Sequence, residues 1–73
     1  MRYFFHVIDG VDIRDEIGTE CADLLEARAQ ALRASGEMIE ELGAKFWDEP
    51  EDWRMNVTDD VGAAQFTLRF SSR

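Results

Sequence analysis

One cysteine, one histidine and one proline occur among the 73 residues, and each scarcity removes a class of protein. A single thiol, Cys21, cannot close an intramolecular disulfide. A chain this short without disulfides is expected in a reducing compartment. A single imidazole, His6, with that one thiol falls short of the four ligands of a usual zinc site. The glycines at 10, 18, 36, 43 and 62 are scattered, so no phosphate-cradling run forms. No apolar stretch approaches the roughly 20 residues of a membrane helix. The stretch Tyr3–Ile8 is shorter than a secretory h-region and no small-residue cleavage site follows it. A cytoplasmic location is therefore expected.

Basic residues are also few, eight against sixteen acidic, for a net charge of −8. Nucleic-acid affinity comes mainly from Lys and Arg on phosphates, so nucleic acid is set aside as a partner. Anionic membrane surfaces are set aside for the same reason. A basic protein partner stays open, because charge would speed that encounter. Much of the charge is read simply as a solvated face.

What the chain does have is apolar bulk in a periodic pattern. Hydrophobic residues make up 45%, with five Phe, two Trp and one Tyr, enough for the core of one domain spanning residues 1–73. Tyr3–Ile8 is aromatic and β-branched and runs into Asp9-Gly10, which predicts a strand and a tight turn. Tyr3, Phe5 and Val7 point to one side; Phe4, His6 and Ile8 point to the other. Val11–Arg14 alternates and predicts a second strand paired back on the first. The segment Asp15–Glu20 reads as a loop. Asp23 followed by Glu26 has capping-box spacing and opens a helix, with an apolar stripe of Leu24, Leu25, Ala31, Leu32, Ser35, Met38, Ile39 and Leu42. Gly43 is placed to end it, although Phe46 continues the stripe. Asp48–Asp52, with Pro50, reads as an acidic loop. Trp53, Met55 and Val57 alternate with polar residues, as do Phe66, Leu68 and Phe70, which gives two further strands. The expectation is an α+β fold of order β-β-α-β-β: a four-stranded, mainly antiparallel sheet with one amphipathic helix on one face.

One helix covers one face of such a sheet, so the other must meet water or a partner. Because the first strand offers apolar residues to both faces, a partly apolar open face is expected. Tyr3, Phe5, Phe66 and Phe70 are the candidate interaction residues around the sheet, with no face assigned to them.

Little in the sequence has the pattern of a chemical site. Any Ser-His-Asp or Cys-His pair would have to use His6, but a strand histidine among aromatics reads as a packed residue hydrogen-bonded to a neighbour. From Asp9 to Glu20 the acidic spacing superficially matches a calcium loop. Arg14 occupies the sixth position, where Gly is needed, and Val11 the third, where an oxygen ligand is needed. Asn56-Val57-Thr58 matches a glycosylation acceptor inside an expected strand and is taken as coincidence. No catalytic residue, metal site or cofactor is assigned. Arg28 falls within the helix stripe. It is expected to lay its stem on the core edge or to pair with Asp9, Asp15 or Glu16 and so tie the helix to the first hairpin.

Arg2-Tyr3-Phe4-Phe5-His6-Val7, Asp9-Gly10, Asp15-Glu16-x-Gly18-Thr19-Glu20, Ala27-Arg28-Ala29-x-Ala31-Leu32 and Val57-Thr58-Asp59-x-x-Gly62 together span nearly the whole chain. In these motifs the sequence resembles a family of small alphaproteobacterial proteins classed as a domain of unknown function. That resemblance implies a compact cytosolic bacterial domain and brings no activity with it. A looser similarity, of architecture only, is to the HicB-type antitoxin domain; the basic DNA-binding tail common to such antitoxins has no counterpart before Arg73.

The function expected first is a non-enzymatic interaction module that forms a homodimer or binds another protein through the open face or an edge strand. The second is an antitoxin-like or regulatory protein that masks a basic partner. The third is a small ligand-binding domain or enzyme using His6, with Asp9 or Asp15 beside it, which needs a concave pocket there.

Overall fold

The computed structural model describes residues 1–48 and 52–72. Five strands form one antiparallel sheet, with a long helix packed on one face. The first strand, β1, is Arg2–Ile8, and β2 is Asp12–Ile13. A three-residue turn, Asp9-Gly10-Val11, joins them, with Gly10 at φ 75. A third strand, β3, is Thr19–Glu20, where a loop was expected; it returns to β1 and pairs Arg2 with Glu20 and Tyr3 with Thr19. The long helix α1 is Leu24–Leu42, the short helix α2 is Ala44–Asp48, β4 is Trp53–Thr58 and β5 is Ala64–Phe70. Strand order is β2-β1-β4-β5, with β3 on the same edge of β1 as β2. The expected order of strands and helix holds, with β3 and α2 added to it.

The local reasons are chemical. Asp23 accepts the N–H of Glu26 at 2.9 Å and so satisfies one of the orphan donors at the start of α1. At the other end Gly43, at φ 56, closes α1 with its N–H on the carbonyls of Ile39 and Glu40. The chain then re-enters helix as α2, which lets Phe46 rejoin the core after the break. Of the acidic loop expected over 48–52, residues 49–51 lie outside the described residues.

Register sorts the two faces. Tyr3, Phe5 and Val7 share the helix side with Trp53, Met55, Val57, Phe66, Leu68 and Phe70, because Phe5 pairs with Val57, Val7 with Met55, and these with Phe66 and Leu68. Met55 and Val57 are wholly buried. The helix meets them with small residues, Ala27, Ala31 and Ser35, all at 0% exposure. Ser35 donates its hydroxyl to Met55 Sδ at 3.5 Å, which satisfies it without water. Of the expected stripe, Leu24, Ala31, Ser35, Ile39 and Leu42 meet the core, and Ala27 joins them. Leu25 and Leu32, assigned to the core from the sequence, are 74% and 60% exposed, and Met38 is also exposed. Close approach of helix to sheet selects small side chains along the contact line, and the large ones flank it or face water.

Candidate functional site

The sheet face away from α1 carries Arg2, Phe4, His6 and Ile8 from β1, Arg54, Asn56 and Thr58 from β4, and Thr67 and Arg69 from β5. Apart from Phe4, His6 and Ile8 of β1 and the small Ala64 of β5 it is polar, so the partly apolar open face expected from the sequence is largely confined to one strand. Even that strand is partly covered. Between β2 and β3 the five residues 14–18 lie opposite only Phe4, Phe5 and His6, and the surplus chain folds over this face as a flap. Gly18, at φ +78, lies against Phe4 and Arg2: a Cβ there would stand 2.9 Å from Phe4 Cε2 and 2.8 Å from Arg2 Cγ. Arg2 in turn donates to the carbonyl of Ile17 at 2.9 Å.

Asp15 organises the flap. One carboxylate oxygen accepts the N–H of Phe5 at 3.1 Å, standing in for a strand partner along the open edge of β1. The other accepts the N–H groups of Ile17 at 3.1 Å and Gly18 at 3.0 Å. Partial burial alone would push this carboxyl up. The N–H donors of Gly18, Phe5 and Ile17, with His6 beside them, outweigh that effect and hold it below the usual carboxylate value.

His6 is only 7% exposed. Its Nδ1 accepts the backbone N–H of Asp15 at 3.0 Å, which assigns the ring proton to Nε2, 3.1 Å from Thr58 Oγ1. The ring stacks on Phe4 with centroids 6.4 Å apart and planes 7° from parallel. The ring is thus packed and hydrogen-bonded at both nitrogens, with Asp15 as its neighbour. A trough of about 440 Å³ opens beside it, bordered by Ile8, Asp12, Arg14, Asn56, Thr58 and Thr67 among others. On the helix side, a second cleft of about 300 Å³ runs between α1 and β2, with Phe5, Val7 and Met38 in its lining.

The other candidates are dispersed. Tyr3, Phe5, Phe66 and Phe70 all lie on the helix-covered side; Tyr3 is buried, and the other three are half-buried against the core. Phe4, not one of these four, is the aromatic of the open face. Arg28 is exposed, and among the described residues it makes no ion pair; Asp15 is held by backbone amides instead, and Asp9 and Glu16 are not drawn to the helix. Cys21 is buried, and burial, with the Glu26 carboxylate adding to it, pushes its thiol up. Among the described residues no group of three metal-ligating side chains forms, and no helix is long and apolar enough to cross a membrane.

The two sheet edges differ sharply. One is the split edge of β2 and β3, two residues each, with the Asp15 flap between them. The other is β5, seven residues from Ala64 to Phe70, bonded among the described residues to β4 alone. It contains no Lys, Pro or Gly. Its one charged residue, Arg69, is engaged by Asp52 in an ion pair. Sequence alternation located this strand, but only the strand order makes it an edge.

A family model described as a domain of unknown function, DUF6894, matches residues 2–71. The chain belongs to that family. No curated protein and no solved structure matches it. In this DUF6894 domain the open face, the flap and the free edge are the features that bear on function.

Proposed function

We propose that this DUF6894 domain is a cytoplasmic protein–protein interaction module that pairs with a second copy of itself through β5. The observation that carries the reading is the asymmetry of the sheet edges. A seven-residue strand with unpaired backbone groups is a template for strand addition, and proteins that remain monomeric guard such edges with Lys, Pro, bulges or a covering element. The β1 edge has such a guard in the Asp15 flap, whereas β5 has only a bulge at Gln65 near its start, and Phe66–Phe70 beyond it runs in regular register with β4. Two β5 strands meeting antiparallel about a two-fold would continue the sheet. They would also bring the half-buried Phe66, Leu68 and Phe70 of both copies onto one apolar surface. A role in binding rather than turnover is supported by His6, which has both ring nitrogens engaged, and by the buried Cys21.

A second reading has its own observation. Glu26, Glu37, Glu40 and Glu41 are exposed on α1, so a basic partner would meet the helix rather than the sheet. The two are separated by mass and salt. Edge pairing gives a dimer that survives added salt, whereas a partner held by the helix is released as salt rises.

A further inference from the structure

The trough beside His6 has hydrogen-bonding directions that are fixed from one end. The backbone N–H of Asp15 can only donate, so His6 Nδ1 accepts and Nε2 carries the proton. That proton points at Thr58 Oγ1, which must accept it, and this leaves the Thr58 hydroxyl free to donate elsewhere. Thr67 donates to Asn56 Oδ1 at 2.9 Å, which orients the Asn56 amide and leaves its NH₂ as the unused end. The middle of the trough is therefore rich in donors. At the β2 end stand two charges of opposite sign. Asp12 shares the open face with Ile8, its partner in β1, and Arg14 follows two residues later. Both are exposed, and among the described residues neither is in an ion pair, with the other or with anything else. Ile8 and Ala64 supply apolar wall.

We propose that this trough binds a small zwitterion of the α-amino-acid class with an apolar side chain. The carboxylate of such a ligand is met by Arg14 with the Thr58 and Asn56 donors, its ammonium by Asp12, and its side chain by the apolar wall. A simple anion would leave Asp12 opposing it in a chain already at −8, whereas a zwitterion adds no net charge and uses both free charges. The volume, about 440 Å³, falls in the range of small-molecule sites. The inference does not depend on β5 pairing.

The test is a titration of the ¹⁵N-labelled protein with L-phenylalanine, and with each half of its head group alone: 3-phenylpropanoate, which lacks the ammonium, and 2-phenylethylamine, which lacks the carboxylate. The expected result is saturable shifts at His6, Asn56 and Thr58 with phenylalanine, and binding at least about tenfold weaker for either half. Arg14→Gln and Asp12→Asn, both at exposed positions, are each expected to weaken phenylalanine binding by a similar factor while leaving the rest of the spectrum in place. Equal binding of 3-phenylpropanoate overturns the zwitterion assignment. Shifts that stay linear in ligand, that gather instead at Phe5 and Met38 in the helix-side cleft, or that are unchanged in both variants overturn the site.

Discussion

His6 and Asp15 hold each other by a reciprocal arrangement: the Asp15 N–H donates to His6 Nδ1 at 3.0 Å, while the Asp15 carboxylate accepts the N–H of Phe5, the residue before His6, at 3.1 Å. The pair closes the β1 edge where its ladder of backbone bonds is interrupted and lays residues 14–18 over the open face.

Asp15 is therefore a structural keystone of the first hairpin. Asp15→Ala strips the acceptor from three backbone N–H groups and is expected to cost about 2–3 kcal/mol, at the scale of hydrogen bonds to a charged group. Asp15→Asn keeps one carbonyl oxygen for Ile17 and Gly18 but turns an NH₂ toward the N–H of Phe5, so its loss should be smaller but clear. Urea unfolding curves of the three proteins check this ranking, and equal midpoints would refute it.

The same carboxylate gives stability a definite dependence on pH. Its folded pKa lies below the ordinary Asp value of 3.8. A group whose pKa is lowered by folding contributes stability that is present above the unfolded value and is lost as pH falls through the folded one. Between about pH 5 and pH 2 the wild type should thus lose more stability than Asp15→Asn, and the two curves should converge toward the acid end. Parallel curves across that window would show that Asp15 is not the source.

Two glycines should respond to alanine with opposite signs. Gly18 has a positive φ and no room for a Cβ beside Phe4 and Arg2, so Gly18→Ala should destabilise by at least about 1–2 kcal/mol from the backbone alone. Gly36 is inside α1 with open space around the position of its absent Cβ, so Gly36→Ala should stabilise by about 0.5–1 kcal/mol. Thermal melts of the two variants provide the comparison.

Much of this fold is legible in the sequence. Alternation in Tyr3–Ile8, Trp53–Thr58 and Phe66–Phe70, and the Asp23 cap, place the main strands and the start of the helix because these signals are local. The flap is not legible, since it rests on side-chain-to-backbone bonds from Asp15 to a strand ten residues earlier, and no spacing announces such bonds. The expected stripe of α1 is right at Leu24, Ala31, Ser35, Ile39 and Leu42 and too wide at Leu25, Leu32 and Met38, because large apolar residues weigh on a periodicity reading wherever they point. The contact line follows the small residues Ala27, Ala31 and Ser35, and their four-residue spacing was the available signal. Arg28, only one residue from Ala27 but about 100° around the helix, faces solvent. Register also reveals a charge pattern that composition conceals. Arg2, Arg54 and Arg69 share the open sheet face in a chain of net charge −8, while Glu26, Glu37, Glu40 and Glu41 lie exposed on the helix.

The most direct test of the central claim is the molar mass in solution, by light scattering behind size exclusion from micromolar to near-millimolar protein. The wild type is compared with the double variant Gln65→Lys/Thr67→Lys. Both positions are exposed on β5, and paired β5 strands would bring the new lysines close to one another or to Arg69 across the interface. Edge pairing predicts a wild-type mass near twice 8.4 kDa that persists in added salt, and a double variant near 8.4 kDa with an unchanged fold. A wild type at 8.4 kDa throughout, or a dimer that the two lysines leave intact, would contradict it.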